Sequence, residues 1–358
     1  MFAGITPALS IGSVSERVRI LPTMIFFFLW TTLVYDFVAY WMWSTDGFLF
    51  KMGVLDFAGG TVVHINSGIS GFIFAYFIGK KHGYTKSPIK ANSVFNIAVG
   101  TSLLWFGFIG FNCGGGYSAN TTSGYALYNS NVSACTGGLV WMFLGYFKGE
   151  RKYSLTDFCV GAVTGLVAIT PGAGYVDCYA AVIFGAVTTA ASYFTISLKY
   201  RLGVDDSFDV LATLGVGGVV GTMLTGVFAS KELVGFGGAV IKGGLIDGNF
   251  NQILIQLLSC VVTIAWCTVM TFAILFFINY FDCLKFNLKK EHEINGVDHS
   301  EIGQIAYEFI VAATENYNQD CRCGCNKSHI IDIEETKNEG DVQPKESPEY
   351  TPTISSRV

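Results

Sequence analysis

The chain has 358 residues, 51% of them hydrophobic and only 14% charged, with a mean hydropathy of +0.46. Soluble chains carry about 25% charged residues, so a soluble enzyme and a disordered scaffold are both excluded, and the medium is lipid. The net charge of −5 divides into +2 over residues 1–280 and −7 over residues 281–358, an apolar body with an acidic tail, and neither part is basic enough for nucleic acid.

A membrane helix needs roughly 20 mostly apolar residues. Such runs are predicted at about 1–14, 22–43, 56–78, 92–112, 121–146, 155–170, 178–198, 210–229 and 252–280, which makes an all-α polytopic membrane protein with nine spans. The first run covers only about 21 Å at 1.5 Å per residue, short of a hydrocarbon core of roughly 30 Å. It has neither a basic n-region nor a small-residue cleavage site, so the sequence reads as one that starts inside a helix, from a truncated or alternative start. Alternate breaks hold eleven cations (Arg17, Arg19, Lys80, Lys81, Lys86, Lys90, Lys148, Arg151, Lys152, Lys199, Arg201), and the opposite breaks hold only Lys51, Lys231 and Lys242. The positive-inside tendency makes the first set cytoplasmic, with the N-terminus outside and the tail inside. Glycine, 42 of 358, reads first as close helix packing.

Ionisable groups at membrane depth default to functional candidates. Of five histidines only His64 lies within a span. Eight residues separate it from Asp56, about 12 Å along a helix, so a carboxylate at the outer mouth and an imidazole near the midplane share one element. Asp56 reads equally as a helix cap. Trp41, Trp43 and the run from Trp105 to Asn112 end two spans on the external side. Such rings can hold a desolvated cation, although an interfacial aromatic belt is the plainer reading. Five of the ten cysteines (Cys135, Cys159, Cys178, Cys260, Cys267) lie in apolar runs and read as small hydrophobes.

Five motifs in order, Asp56–Asn66, Trp105–Gly115, Ile169–Val176, Val204–Val210 with Gly215–Gly218, and Gly296–Tyr307, resemble the ammonium transporter family (Amt/Mep, Rh-related) across most of residues 1–307. The resemblance implies an eleven-helix bundle with pseudo-twofold halves, of which this chain would lack the first two helices, and a homotrimer in which each protomer holds its own pore. It implies a transporter domain over 1–280, a cytoplasmic regulatory segment over 281–310 and a disordered acidic tail over 311–358. Trp43 matches the outer aromatic that recruits ammonium, Phe111 and Phe2 the two gate phenylalanines, Asp56 the acidic residue below the recruitment site, and His64 the first of two pore histidines. No cofactor is implied; the partners are ammonium or ammonia, the bilayer, expected to be the plasma membrane, and further copies of the chain.

Two positions depart from the family pattern. Gly115 stands where a serine hydroxyl helps hold the cation, and Leu214 stands where the second pore histidine is expected. Ammonium in an apolar pore either keeps its charge at a cost of several kcal/mol or gives up its proton and passes as ammonia. Imidazole titrates near neutrality and can relay such a proton, but Leu214 cannot take it onward. The expectation is therefore weak or non-electrogenic ammonia passage, with His64 positioning ammonia by hydrogen bonding. A sensor or regulatory subunit without efficient transport, or a nonfunctional truncated product, are the alternatives. An intramembrane enzyme is disfavoured, since one buried His has no placed nucleophile or metal partner. Cys321, Cys323 and Cys325 with His329 are spaced too tightly for a usual zinc site and read as solvated thiols. Asn120 and Asn131 match glycosylation sequons, the second within a helix.

Overall fold

A computed structural model describes residues 2–84, 91–149, 151–238 and 240–304, so the tail cysteines, Lys86, Lys90, Ala306 and Tyr307 lie outside the described residues. Each predicted run holds a helix: α1 Phe2–Ser13, α2 Ile20–Met52, α3 Gly60–Ile78, α4 Val94–Gly114, α5 Thr121–Lys148, α6 Leu155–Ile169, α7 Cys178–Leu202, α8 Leu211–Phe228 and α9 Asn251–Tyr280. The described residues form no named strand. The second run ends later than predicted because the chain turns after Trp43 and adds a short helical piece, Phe48–Met52.

Six of these helices (α2, α3, α4, α7, α8, α9) are long and apolar enough to cross a membrane, against nine predicted. The other three differ for physical reasons. Helices α1 and α6 are short, and α5, although 28 residues long, buries Thr122, Asn129, Ser130 and Ser133 against protein. A helix that faces its neighbours rather than lipid can carry such groups, provided each finds a partner. The Ser133 hydroxyl, for example, donates to the Gly165 carbonyl of α6 at 2.7 Å. Close approach explains the glycines here: a Cβ at Gly137 of α5 would fall 2.5 Å from the Gly161 carbonyl of α6.

Three of the spanning helices contain π-helical stretches, at Thr31–Tyr35, Gly60–Ile65 and Leu211–Val216. The second and third include the positions of His64 and Leu214. A π turn re-aims side chains within a helix and is frequent at functional sites.

At the cation-rich end, charged loops tie the bundle together. Arg17, 2% exposed, lies 3.6 Å from the Asp205 carboxylate and donates to the Asp205 carbonyl, while Lys81 and Ser207 both bond Glu16 at 2.7 Å. Lys81, Lys148, Lys199 and Asp205 line one cavity of about 550 Å³, so three of the predicted cation-rich breaks share this end. The segment after α9 folds back onto it: the His82 amide donates to Glu293 at 2.6 Å, and the Ile20 amide at the start of α2 donates to Glu301 at 3.1 Å.

Glu16 carries a pH dependence. Partial burial pushes its carboxyl up, but hydrogen bonds from Lys81 and Ser207 and the charges of Lys81 and Arg17 outweigh that and hold it below the usual range. A depressed folded pKa stabilises above the unfolded value, near pH 4.3, and that contribution is lost as pH falls through the lower folded value. In Lys81→Gln the folded value moves back towards the unfolded one, so the drop in melting temperature on acidification is expected to be smaller than in the wild type, read by thermal scans across pH 3–6.

Candidate functional site

The π start of α3 is built on Asp56. Its carboxylate, 5% exposed, accepts the amides of Gly59 (3.0 Å) and Gly60 (2.6 Å) on Oδ1 and of Thr61 (2.9 Å) and Val62 (3.2 Å) on Oδ2. Four of the otherwise orphaned N–H groups of the helix start are satisfied by one side chain. Asp56 is thus a cap with both oxygens occupied, and the helix begins four residues after it. Gly59 permits the entry turn at φ +106, and a Cβ there would sit 2.7 Å from the Val63 side chain.

The backbone around Asp56 is held from two sides. Trp43 Nε1 donates to the Asp56 carbonyl at 2.8 Å. On α9, Gln256 accepts the Leu55 amide at 3.0 Å and donates to the Leu55 carbonyl at 2.7 Å, while Gln252 donates to the Gly53 carbonyl at 2.9 Å. Sequence reasoning passed over these glutamines. Their i, i+4 spacing in an otherwise apolar 30-residue helix was the available signal, since polar side chains in such a helix face inward.

From Trp43 the rings follow one another inward. Phe2 lies 5.6 Å from Trp43 and 4.3 Å from Phe111, which it meets edge-on. Phe111 lies 5.9 Å from the His64 imidazole, and Phe108 stacks on that imidazole at 5.6 Å and 17°. The sequence placed Phe108 only in an aromatic run. Trp41 does not join the series: it packs sideways on Trp266 of α9 at 5.2 Å. Trp105 also points elsewhere, donating to Asn131 of α5 at 3.1 Å, and Asn120 caps the start of α5 by accepting the Ser123 amide.

His64 is fully buried. Its Nε2 lies 3.1 Å from the Thr170 hydroxyl, and its Nδ1 has no hydrogen-bond partner. Leu214, 6% exposed, lies in the π stretch of α8, which packs against α3 one turn past the imidazole: a Cβ on Gly68 would fall 3.0 Å from the Leu214 carbonyl carbon. The α8 position at which a second imidazole is expected carries the aliphatic Leu214. At the outer end, a Cβ on Gly115 would fall 2.5 Å from the Phe57 carbonyl, so a serine could not be restored there without a backbone shift. Among the described residues no group of three or more His, Cys, Asp or Glu is arranged to hold a metal.

Comparison with known proteins bears on the family and the fold. The model of the Ammonium Transporter Family matches residues 1–307. Ammonium transporter 1 of Schizosaccharomyces pombe is 42% identical over 313 residues, 86% of this chain and 62% of the relative. The crystal structure of Candida albicans Mep2 superposes with a TM-score of 0.77 at 40% identity, covering 81% of this chain and 65% of that one. A structure described as a sensor Amt protein superposes at 0.74 with 26% identity, covering 84% and 74%. The chain spans less than two thirds of the length of the first two. With the helices, the ordered motifs and these likenesses in agreement, the chain is a multi-pass helical membrane protein and belongs to the ammonium transporter family.

Proposed function

We propose that the chain moves ammonium nitrogen across a membrane as neutral ammonia, through a narrow apolar path within each protomer. The observation that carries this reading is the series Trp43, Phe2, Phe111, His64, in which aromatic faces lead to one buried imidazole. Trp43 recruits the cation through its π face, an interaction worth up to about 2 kcal/mol once water is excluded. Phe2 and Phe111 form the gate, and because they touch, a solute passes only when they swing apart. Asp56 cannot ligate the cation directly, since both oxygens are spent, so it acts by fixing Trp43 and the start of α3 and by its negative charge. Gly115 offers no hydroxyl, which weakens recruitment. Leu214 ends any direct imidazole relay.

This reading carries the wider assignments with it: a transporter domain over 1–280, a cytoplasmic regulatory segment over 281–310, an acidic tail over 311–358, the N-terminus outside, the C-terminus inside, a plasma-membrane location and a homotrimer. The bonds of Glu293 and Glu301 to the cation-rich end support the regulatory segment. The test is ammonium uptake in cells that lack their own transporters. The chain is expected to restore uptake, and His64→Leu at equal surface level to lower it about tenfold, the scale of one lost buried polar contact. Uptake indifferent to His64→Leu would overturn the proposal. A sensing role is the second reading, favoured by Leu214 and by the likeness to a sensor Amt protein; an ammonium-dependent signal without uptake would assign the chain to it.

A further inference from the structure

The hydrogen bonds behind His64 fix where its proton sits. Ser130 donates its single hydroxyl proton to the Ala126 carbonyl at 2.6 Å, so towards Asn112, 2.8 Å away, it can only accept. That places Asn112 Nδ2 against Ser130 and Asn112 Oδ1 against Thr170. The Thr170 hydroxyl then has two acceptors before it, the Leu166 carbonyl at 2.8 Å and Asn112 Oδ1 at 3.2 Å, and its one proton goes to them. With that proton directed away, a lone pair of the hydroxyl oxygen is what His64 Nε2 meets at 3.1 Å, which makes Nε2 the donor. A neutral imidazole with its proton on Nε2 has a bare lone pair on Nδ1, the buried atom that has no hydrogen-bond partner in the protein.

We infer that Thr170 is a positioning residue that locks His64 as the Nε2–H tautomer and so presents Nδ1 as a hydrogen-bond acceptor for a solute bearing N–H, ammonia or a small primary amine. The inference rests on the transport reading for its solute, and on the geometry alone for the lock. It gives Leu214 a consequence at the level of a single atom: without a second imidazole, the lone pair is left free for what passes. Asn112 and Ser130 support the lock at one remove by holding Thr170 in its accepting orientation. The site cannot donate to a solute lone pair through Nδ1, so it selects for donors.

The tautomer is read by solid-state nitrogen NMR of the full chain in lipid bilayers, labelled with 15N-histidine, the His64 signals being assigned by their loss in His64→Gln. The wild type is expected to show a protonated Nε2 and an unprotonated Nδ1. Thr170→Ser should keep that pattern, and Thr170→Val should give a mixture of tautomers with uptake lowered fivefold to tenfold. A wild-type spectrum with the proton on Nδ1 overturns the inference, and that spectrum decides the lock even if Thr170→Val does not accumulate. Uptake by Thr170→Val equal to that of Thr170→Ser overturns the functional part. Absence of uptake by the wild type would sink the transport reading while leaving the tautomer to the spectrum.

Discussion

Replacing Asp56 by Ala is expected to lower the melting temperature in detergent by roughly 8–16 °C and to abolish uptake. The magnitude follows from what one carboxylate does. It accepts four amides at 2.6–3.2 Å within a site 5% exposed. Alanine leaves all four without partners, and each unsatisfied buried group costs about 1–3 kcal/mol. Partial relaxation of the turn brings the total to about 4 kcal/mol, among the largest effects of a single substitution. Asparagine is a poor substitute, because its amide can accept on one side only and turns its own N–H towards two of the donors. The damage also reaches function, since the Asp56 carbonyl holds Trp43 and the cap sets the π turn that aims His64. Differential scanning of Asp56→Ala and Asp56→Asn beside the wild type checks this, and a wild-type melting temperature in Asp56→Ala would refute the capping account.

Leu214→His is the second large effect, and it is a gain. Asp206 and Leu214 are separated by the same eight residues as Asp56 and His64, and in both halves the later residue lies in a π stretch that opens a spanning helix. Asp206 accepts the Leu211 amide at 2.9 Å, a sparser version of the cap made by Asp56. The α8 stretch packs on α3 where Gly215 meets Gly68, so a new imidazole enters a segment already seated against α3. Leucine and histidine are close in volume, and the buried lone pair on His64 Nδ1 offers the new ring an acceptor. The pair would then pass a proton that His64 alone cannot relay. Ammonium-induced current is expected to rise at least tenfold over the wild type, read on supported membranes carrying equal protein, and an unchanged current would show that Leu214 does not interrupt a relay.

Much of this was legible in the sequence because a membrane imposes a coarse code. Each apolar run holds a helix among the described residues, although only six of the nine are long and apolar enough to cross a membrane, and the lone histidine within those runs marked His64. Phe2, Phe111 and Trp43 entered through resemblance, and the structure brings them into one ring series. What stayed hidden was which face each polar residue turns to. Asp56 could be a cap or a recruiting charge, and only its four bonds show the cap. Thr170 and Asn112 lay within the recognised motifs without an assigned role, because a small hydroxyl or amide in an apolar helix is ambiguous until its partners are known. The polar interior of α5 likewise reads as an ordinary span in the sequence, yet it faces other helices.

On the proposed reading nitrogen crosses without charge, on one imidazole that accepts and does not relay. Flux and charge measured together on reconstituted wild-type protein test it most directly, with internal pH reporting ammonia entry and membrane current reporting cations. Alkalinisation of the vesicle interior with little current is expected. One positive charge carried for every nitrogen that enters would contradict it.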